Sequence, residues 1–288
     1  MNGPESTRSK HLRRWLVKWL LLALAVVLVP AALLFFRQHS MIYHPRAYPP
    51  GYERALPPGA LQVEYSTVAG KQVAFYLPPR SGEAVPARVW VTFAGNASVA
   101  LDWLDFAAAN SNESDGFLLL DYPGYGKSEG VASIATSRGS ADKAVATLAG
   151  RLGIPEAELS SRLCVIGLSL GAAAALEFSA GHPIQRAVLI ASFTTMREMA
   201  AELFSKPVSF LLRENYDNRA RLRELARRVP APRVAIFHGT ADNLIPLQMA
   251  RELAETAPAI TQFFPIEQAN HDTIVGDAMT EIIAWMNQ

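Results

Sequence analysis

Hydrophobic positions along this chain follow two different regimes. Between Trp19 and Phe36 no charged residue interrupts a nearly continuous run of Leu, Ala, Val and Phe. No polar face recurs there at helical spacing, so the segment does not read as the core helix of a soluble domain. At about 1.5 Å per residue its length suits a helix that crosses a bilayer core. Pro30 is the one helix-unfriendly residue, and membrane helices tolerate such kinks. From residue 61 the pattern changes to short apolar runs. Residues 61–68 and 72–77 flank Ala69-Gly70-Lys71 and predict an antiparallel hairpin. Runs at 87–93, 116–121, 163–167, 187–191, 234–238 and 262–265 predict strands, and the stretches around 99–110, 138–152, 170–180, 248–255 and 273–287 predict helices. Strands this uniformly apolar suit burial on both faces. Strands and helices alternating after a hairpin predict an α/β fold: a mostly parallel sheet with helices on both faces.

The same pattern divides the chain. Residues 1–18 form a basic arm, 19–36 a membrane span, 37–60 a linker and 61–288 the globular domain. The linker is rich in Pro, Tyr and Gly, and its aromatic residues are expected to pack along the domain edge. One long interruption remains at 193–232. Its first half, 196–212, mixes apolar and polar residues around Pro207, and its second, 218–228, is charged and predicts a solvated helix. Loops at the carboxyl ends of parallel strands build ligand sites. The interruption is therefore expected to form a small helical cap, the alternative being a surface excursion with no part in substrate choice.

Charge sharpens the N-terminal reading. Of 288 residues 50% are hydrophobic and the net charge is +1, which excludes a disordered chain. The neutrality conceals a cluster of Arg8, Lys10, Arg13, Arg14 and Lys18 against Glu5 alone. That cluster predicts a cytoplasmic N-terminus, a single-pass signal anchor and a catalytic domain on the opposite, periplasmic or extracytoplasmic side. A cleaved signal peptide has the same charged start and apolar middle, and Val29-Pro30-Ala31 weakly resembles a cleavage site. The run Leu33-Leu34-Phe35-Phe36 continues past that point and suits an uncleaved anchor better. The remaining residues are mildly acidic with no basic stripe, so nucleic-acid binding is not expected. The single cysteine, Cys164, lies in an apolar run and is expected to be a buried hydrophobe. No His-Glu-x-x-His or Cys-x-x-Cys spacing occurs, so no metal or other cofactor is expected.

The candidate chemistry is concentrated in Gly167-Leu168-Ser169-Leu170-Gly171, a G-x-S-x-G pentapeptide between a predicted strand and an Ala-rich predicted helix. A nucleophilic serine on a sharp strand-to-helix turn needs small neighbours, because a bulky side chain would strike the adjoining backbone. The helix N-terminus behind it offers amide hydrogens to developing negative charge. A serine hydroxyl also needs a base, and the base needs an acid to hold its tautomer. In the order Ser, Asp, His the partners are Asp242, after the strand ending near His238, and His271, after the strand ending near Pro265. Asp272, one step from His271, is poorly placed for the acid role, and His238 is expected to pack beside the site. The oxyanion donors are expected to be the backbone amides of Asn96, in the loop after strand 87–93, and Leu170; Ala97 is the fallback for the first.

Gly95-Asn96-Ala97, the run from Asp121 to Gly130 (Asp-Tyr-Pro-Gly-Tyr-Gly-Lys-Ser-Glu-Gly), the serine pentapeptide, Gly239-Thr240-Ala241-Asp242 and Asn270-His271 together resemble the α/β-hydrolase superfamily. They most resemble its single-pass membrane-anchored branch of lysophospholipid and monoacylglycerol lipases and protein depalmitoylases. The resemblance runs from about Leu61 to the C-terminus and implies the triad Ser169, Asp242 and His271. The 121–130 run is expected to serve mainly as a glycine-rich turn. Family members often carry a histidine before the oxyanion-loop glycine, where this chain has Ala94. The expected activity is hydrolysis of carboxylic esters or thioesters through an acyl-serine, on a small-molecule or lipid-like acyl substrate. The rivals are a peptidase of the prolyl-aminopeptidase type and a silent membrane-anchored binding module. Oligomeric state is not legible in the sequence.

Overall fold

The computed structural model describes residues 7–52, 56–204 and 206–288. The uncharged N-terminal run lies within helix α1, Thr7–Ile42, with Pro30 inside it. Among the described residues this is the one helix long and apolar enough to cross a membrane, by length and composition, with a mean hydropathy of 2.8. The helix runs past its predicted end at residue 36. Nothing from Arg37 to Ile42 is Gly or Pro, and the first breaker is Pro45. The linker therefore begins at Tyr43, and residues 43–52 form an ordered strap. Tyr43 is buried in the core, and Tyr48 and Tyr52 stack at 4.4 Å against Phe75.

The globular part is built on an eight-stranded sheet in the order β1-β2-β4-β3-β5-β6-β7-β8. The hairpin is β1, Leu61–Thr67, and β2, Gly70–Leu77. The remaining strands are β3, Arg88–Phe93; β4, Asp115–Leu120; β5, Leu163–Leu168; β6, Arg186–Ile190; β7, Arg233–Gly239; and β8, Thr261–Ile266. β2 runs antiparallel to β1 and β4, and every later pairing is parallel. Pleating sends alternate residues to two cores. Val89, Val91 and Phe93 face one side, with α3, Ile134–Leu152, α5, Leu170–Ser179, and α9, Leu247–Thr256; Trp90 faces the other. The second side is covered by α2, Leu104–Ala109, and by α10, Ile274–Asp277, and α11, Met279–Met286. Cys164 is fully buried there, and burial pushes its thiol up to about 12. The short helix α4, Glu156–Ser160, escapes sequence reading because its one turn buries only Leu159.

The 193–232 interruption resolves into two parts with different roles. A backbone bridge between Thr195 and Asp217 closes its neck. The excursion proper, 196–216, carries α6, Met196–Leu203, and α7, Lys206–Ser209, and lies over the carboxyl end of the sheet. The second half, α8, Asn218–Ala226, is no solvated helix. Its Leu222 and Leu225 are fully buried in the sheet-covering core. Four basic and acidic side chains on a nine-residue helix mask a narrow apolar stripe at i and i+3. α8 is the crossover helix into β7, so the excursion that lies over the sheet's carboxyl end is shorter than the 193–232 interruption.

Candidate active site

Ser169 follows β5 with φ 57° and ψ −117°, a conformation that L-residues avoid. Such strain costs on the order of 1–3 kcal/mol and persists only where the surroundings enforce it. Here the Ser169 amide donates to the Ile190 carbonyl at 2.8 Å, fixing the turn to the neighbouring strand. The two glycines are sterically required. A Cβ on Gly167 would lie 2.2 Å from the Gly171 carbonyl oxygen, and one on Gly171 would lie 2.1 Å from that of Phe93. This close approach brings the start of α5 against the end of β3 and its following loop.

The loops after β7 and β8 interlock in the same way. The Ala241 amide donates to the Ala269 carbonyl, the Thr240 amide to that of Ile266, and a Cβ on Gly239 would strike Ala269 at 2.1 Å. This clamp brings Asp242 and His271 together. His271 Nδ1 lies 2.8 Å from Asp242 Oδ2, and His271 Nε2 lies 3.1 Å from Ser169 Oγ. An ionised carboxylate only accepts, so Nδ1 carries the proton and Nε2 is free to accept from the serine hydroxyl. Burial pushes the Asp242 pKa up. Hydrogen bonds from His271 and from the Ile245 and Leu244 amides more than offset that and hold it below the usual carboxylate range. The imidazole thus faces a permanent negative charge.

The other candidates lie around this chain of hydrogen bonds or in the adjoining loops. His238 is fully buried, donates from Nε2 to the Ile245 carbonyl at 2.9 Å and lies 3.4 Å from Asp242 Oδ2. Burial lowers its pKa, so it is a neutral strut behind the acid. The Asp272 amide donates to Asn270 Oδ1 within the loop. Asn96 and Leu170 both line the cavity that contains Ser169 and His271. The Ala97 amide is engaged by the Asn96 side chain at 3.1 Å, which disfavours it as the fallback donor.

The hold on the loop after β3, which is expected to carry an oxyanion donor, was not legible in the sequence. The Asp121–Gly130 run is more than a turn: Tyr122 donates its hydroxyl to the Ala94 carbonyl at 2.8 Å, and Tyr125 to Asn96 Oδ1 at 3.0 Å. The strap after α1 grips the same residue. Asn96 Nδ2 donates to the Ile42 carbonyl at 2.7 Å and the His44 amide donates to Asn96 Oδ1 at 2.9 Å. Two tyrosines three positions apart on a loop beside β3 were the available signal for the first pair. The second pair joins residues 54 positions apart, a span over which local pattern carries no information.

Comparison with known proteins agrees with this architecture. The Alpha/beta hydrolase family matches residues 89–275. The chain belongs to that family. It is 27% identical over 252 residues to the uncharacterized protein Rv2307c of Mycobacterium tuberculosis, covering 86% of each chain. Among solved structures it is similar to the Pyrococcus furiosus esterase PF2001, with a TM-score of 0.61 at 16% identity over 85% of this chain and 96% of that one. It is similar also to the thioesterase domain of the curacin biosynthetic pathway, with a TM-score of 0.56 at 12% identity over 80% and 100% of the two chains. This α/β hydrolase therefore shares its fold with an esterase and a thioesterase domain.

Proposed function

We propose that this α/β hydrolase is a membrane-anchored serine hydrolase that cleaves carboxylic ester or thioester bonds through an acyl-serine intermediate. The observation that carries the reading is the continuous hydrogen-bonded chain from Ser169 through His271 to Asp242, on a strained turn at a helix N-terminus. In this mechanism His271 Nε2 takes the Ser169 proton as Oγ attacks the acyl carbonyl. The tetrahedral oxyanion is held by the Asn96 and Leu170 amides. Collapse breaks the bond to the alcohol or thiol, which leaves with the proton from His271. Water, deprotonated by His271, then attacks the acyl-serine and releases the acid and the free serine. Asp242 stabilises the imidazolium in both halves.

The finer reading follows the membrane-anchored lipase and depalmitoylase branch. Residues 19–36 cross the bilayer, the basic arm stays in the cytoplasm, and the hydrolase domain lies on the opposite face with residues 196–216 as its cap. Support comes from the apolar lining of the Ser169 cavity, to which Met196, Met199, Leu203, Leu211 and Leu212 contribute. Such a lining suits a lipid-like acyl group better than a charged small molecule. The test is covalent labelling with a fluorophosphonate: wild type should label and Ser169→Ala should not. Absence of labelling in folded wild type would leave a binding module as the better reading, and faster cleavage of aminoacyl amides than of acyl esters would favour a peptidase.

A further inference from the structure

The cavity beside Ser169, about 550 Å³, is not walled by the hydrolase domain alone. Leu34, Gln38, Met41 and Ile42 of α1 line it. These positions recur at i, i+4, i+7 and i+8, the spacing of one helical face. That face is fastened to the cap. The Arg213 amide donates to Gln38 Oε1 at 2.7 Å, Tyr43 donates its hydroxyl to Glu214 at 2.7 Å, His39 bonds the Ala132 carbonyl, and the Arg213 guanidinium lies 5.4 Å from the Phe35 ring centre.

Depth along the helix makes this wall informative. Arg37 is the first charge after Lys18, and Leu34 precedes it by about 4.5 Å of helix axis. A helix seated with Arg37 at the headgroups places Leu34 inside the hydrocarbon edge and Met41 outside it. The cavity wall therefore crosses the membrane surface. On the cap side, Leu203 and Phe204 line the cavity although they are 55% and 56% exposed, so they mark its opening. Phe210, just after α7, is 75% exposed, and Phe36 on α1 is 77% exposed. An apolar rim of this size on an otherwise polar domain marks contact with an apolar phase, and continuity with α1 identifies that phase as the bilayer.

We infer that the cavity is a long-chain acyl site opening sideways into the membrane, with the last two turns of α1 as the wall that sets chain-length preference. The substrate class is a long-chain acyl ester or thioester whose chain already lies in the bilayer. The chain slides between α1 and the cap, and its carbonyl arrives at Ser169 while the polar leaving group stays at the aqueous side near His44 and Asp272. This rests on the serine-hydrolase reading above and adds to it the route, the wall and the chain length.

The test uses the full-length protein in detergent micelles with p-nitrophenyl palmitate and p-nitrophenyl butyrate. Leu34→Trp and Met41→Trp fill the wall and should each lower the palmitate-to-butyrate ratio of kcat/KM by about tenfold or more, since occluding even a methylene's space moves selectivity by that order. Leu33→Trp, on the lipid-facing side of the same helix, should leave the ratio at its wild-type value. An unmoved ratio in both cavity variants, or an equal fall in Leu33→Trp, overturns the inference. Ser169→Ala separates the two readings: if it still hydrolyses both esters the serine mechanism itself fails, whereas a dead Ser169→Ala with an unmoved ratio refutes only the α1 wall. In phosphatidylcholine vesicles, turnover of a monoacylglycerol or of an S-palmitoyl peptide supports lateral access and identifies the acyl source. Turnover of neither, by protein active on the soluble esters, overturns it.

Discussion

At the scale of single residues, the site depends on where charge is allowed to stay. Asp242 is kept ionised by three donors, but Asp121, at the end of β4, lies in the opposite situation. It is 2% exposed, accepts from the Ala100 amide at 2.8 Å and from Tyr48 at 3.1 Å, and forms no ion pair among the described residues. Burial raises its pKa from 3.8 to about 6 against those hydrogen bonds. Between these two values the folded chain holds a proton that the unfolded chain releases. Stability from this group is thus fully present below pH 3.8 and lost as the pH rises through 6. A displacement of this size corresponds to roughly 3 kcal/mol. Asp121→Asn retains an acceptor for Ala100 and Tyr48 without a charge to bury. The variant should be more stable than wild type at pH 7.5, with the gap closing toward pH 4. Denaturant melts of the two proteins across that range provide the check, and a gap independent of pH would show that Asp121 does not titrate in the window.

At the scale of elements, legibility in the sequence tracked how local the physics is. The inner strands were legible because burial on both faces forces continuous apolar runs, as in Val89–Phe93 and Leu163–Ile166. Ser169 sits directly after such a run, and Asp242 and His271 follow β7 and β8 by three and five residues, in the loops where their order along the chain pointed. The end of α1, the two tyrosine struts and α8 were not legible, because their partners are remote in sequence or their apolar stripe is two residues wide. α8 offers a quantitative distinction. If it is a crossover helix of the sheet, Leu225→Ala opens a cavity in the core and costs about 2–5 kcal/mol. Leu203→Ala, on the exposed side of cap helix α6, should change stability by no more than about 0.5 kcal/mol. Chemical denaturation of both variants distinguishes the cases; equal small effects would return α8 to the cap.

For the whole molecule, the decisive boundary does not fall at the end of the apolar run at residue 36. The carbonyl of Ile42 and the amide of His44 both bond Asn96, so the end of α1 is joined to the loop expected to hold the oxyanion. Tyr43 is buried in the sheet core between them. Residues 34–44 therefore belong structurally to the hydrolase, and none of the described hydrogen bonds joins a residue before Pro30 to it. A break at residue 30 is chemically mild, because proline tolerates the first position of a helix, where its missing amide has no partner to lose. A chain starting at Pro30 should keep fluorophosphonate labelling and short-chain ester turnover within a few-fold of the full-length protein. A chain starting at Pro45 loses the acceptor on Ile42, the donor on His44 and the Tyr43 ring together. Loss of the oxyanion loop's support should reduce turnover by about 100-fold, the scale of one misplaced oxyanion donor. The same division bears on the Val29-Pro30-Ala31 site: cleavage there would free the domain from the bilayer yet leave its strap, its oxyanion support and its acyl wall in place. Equal activity of the two truncated chains would show that the end of α1 is only a tether.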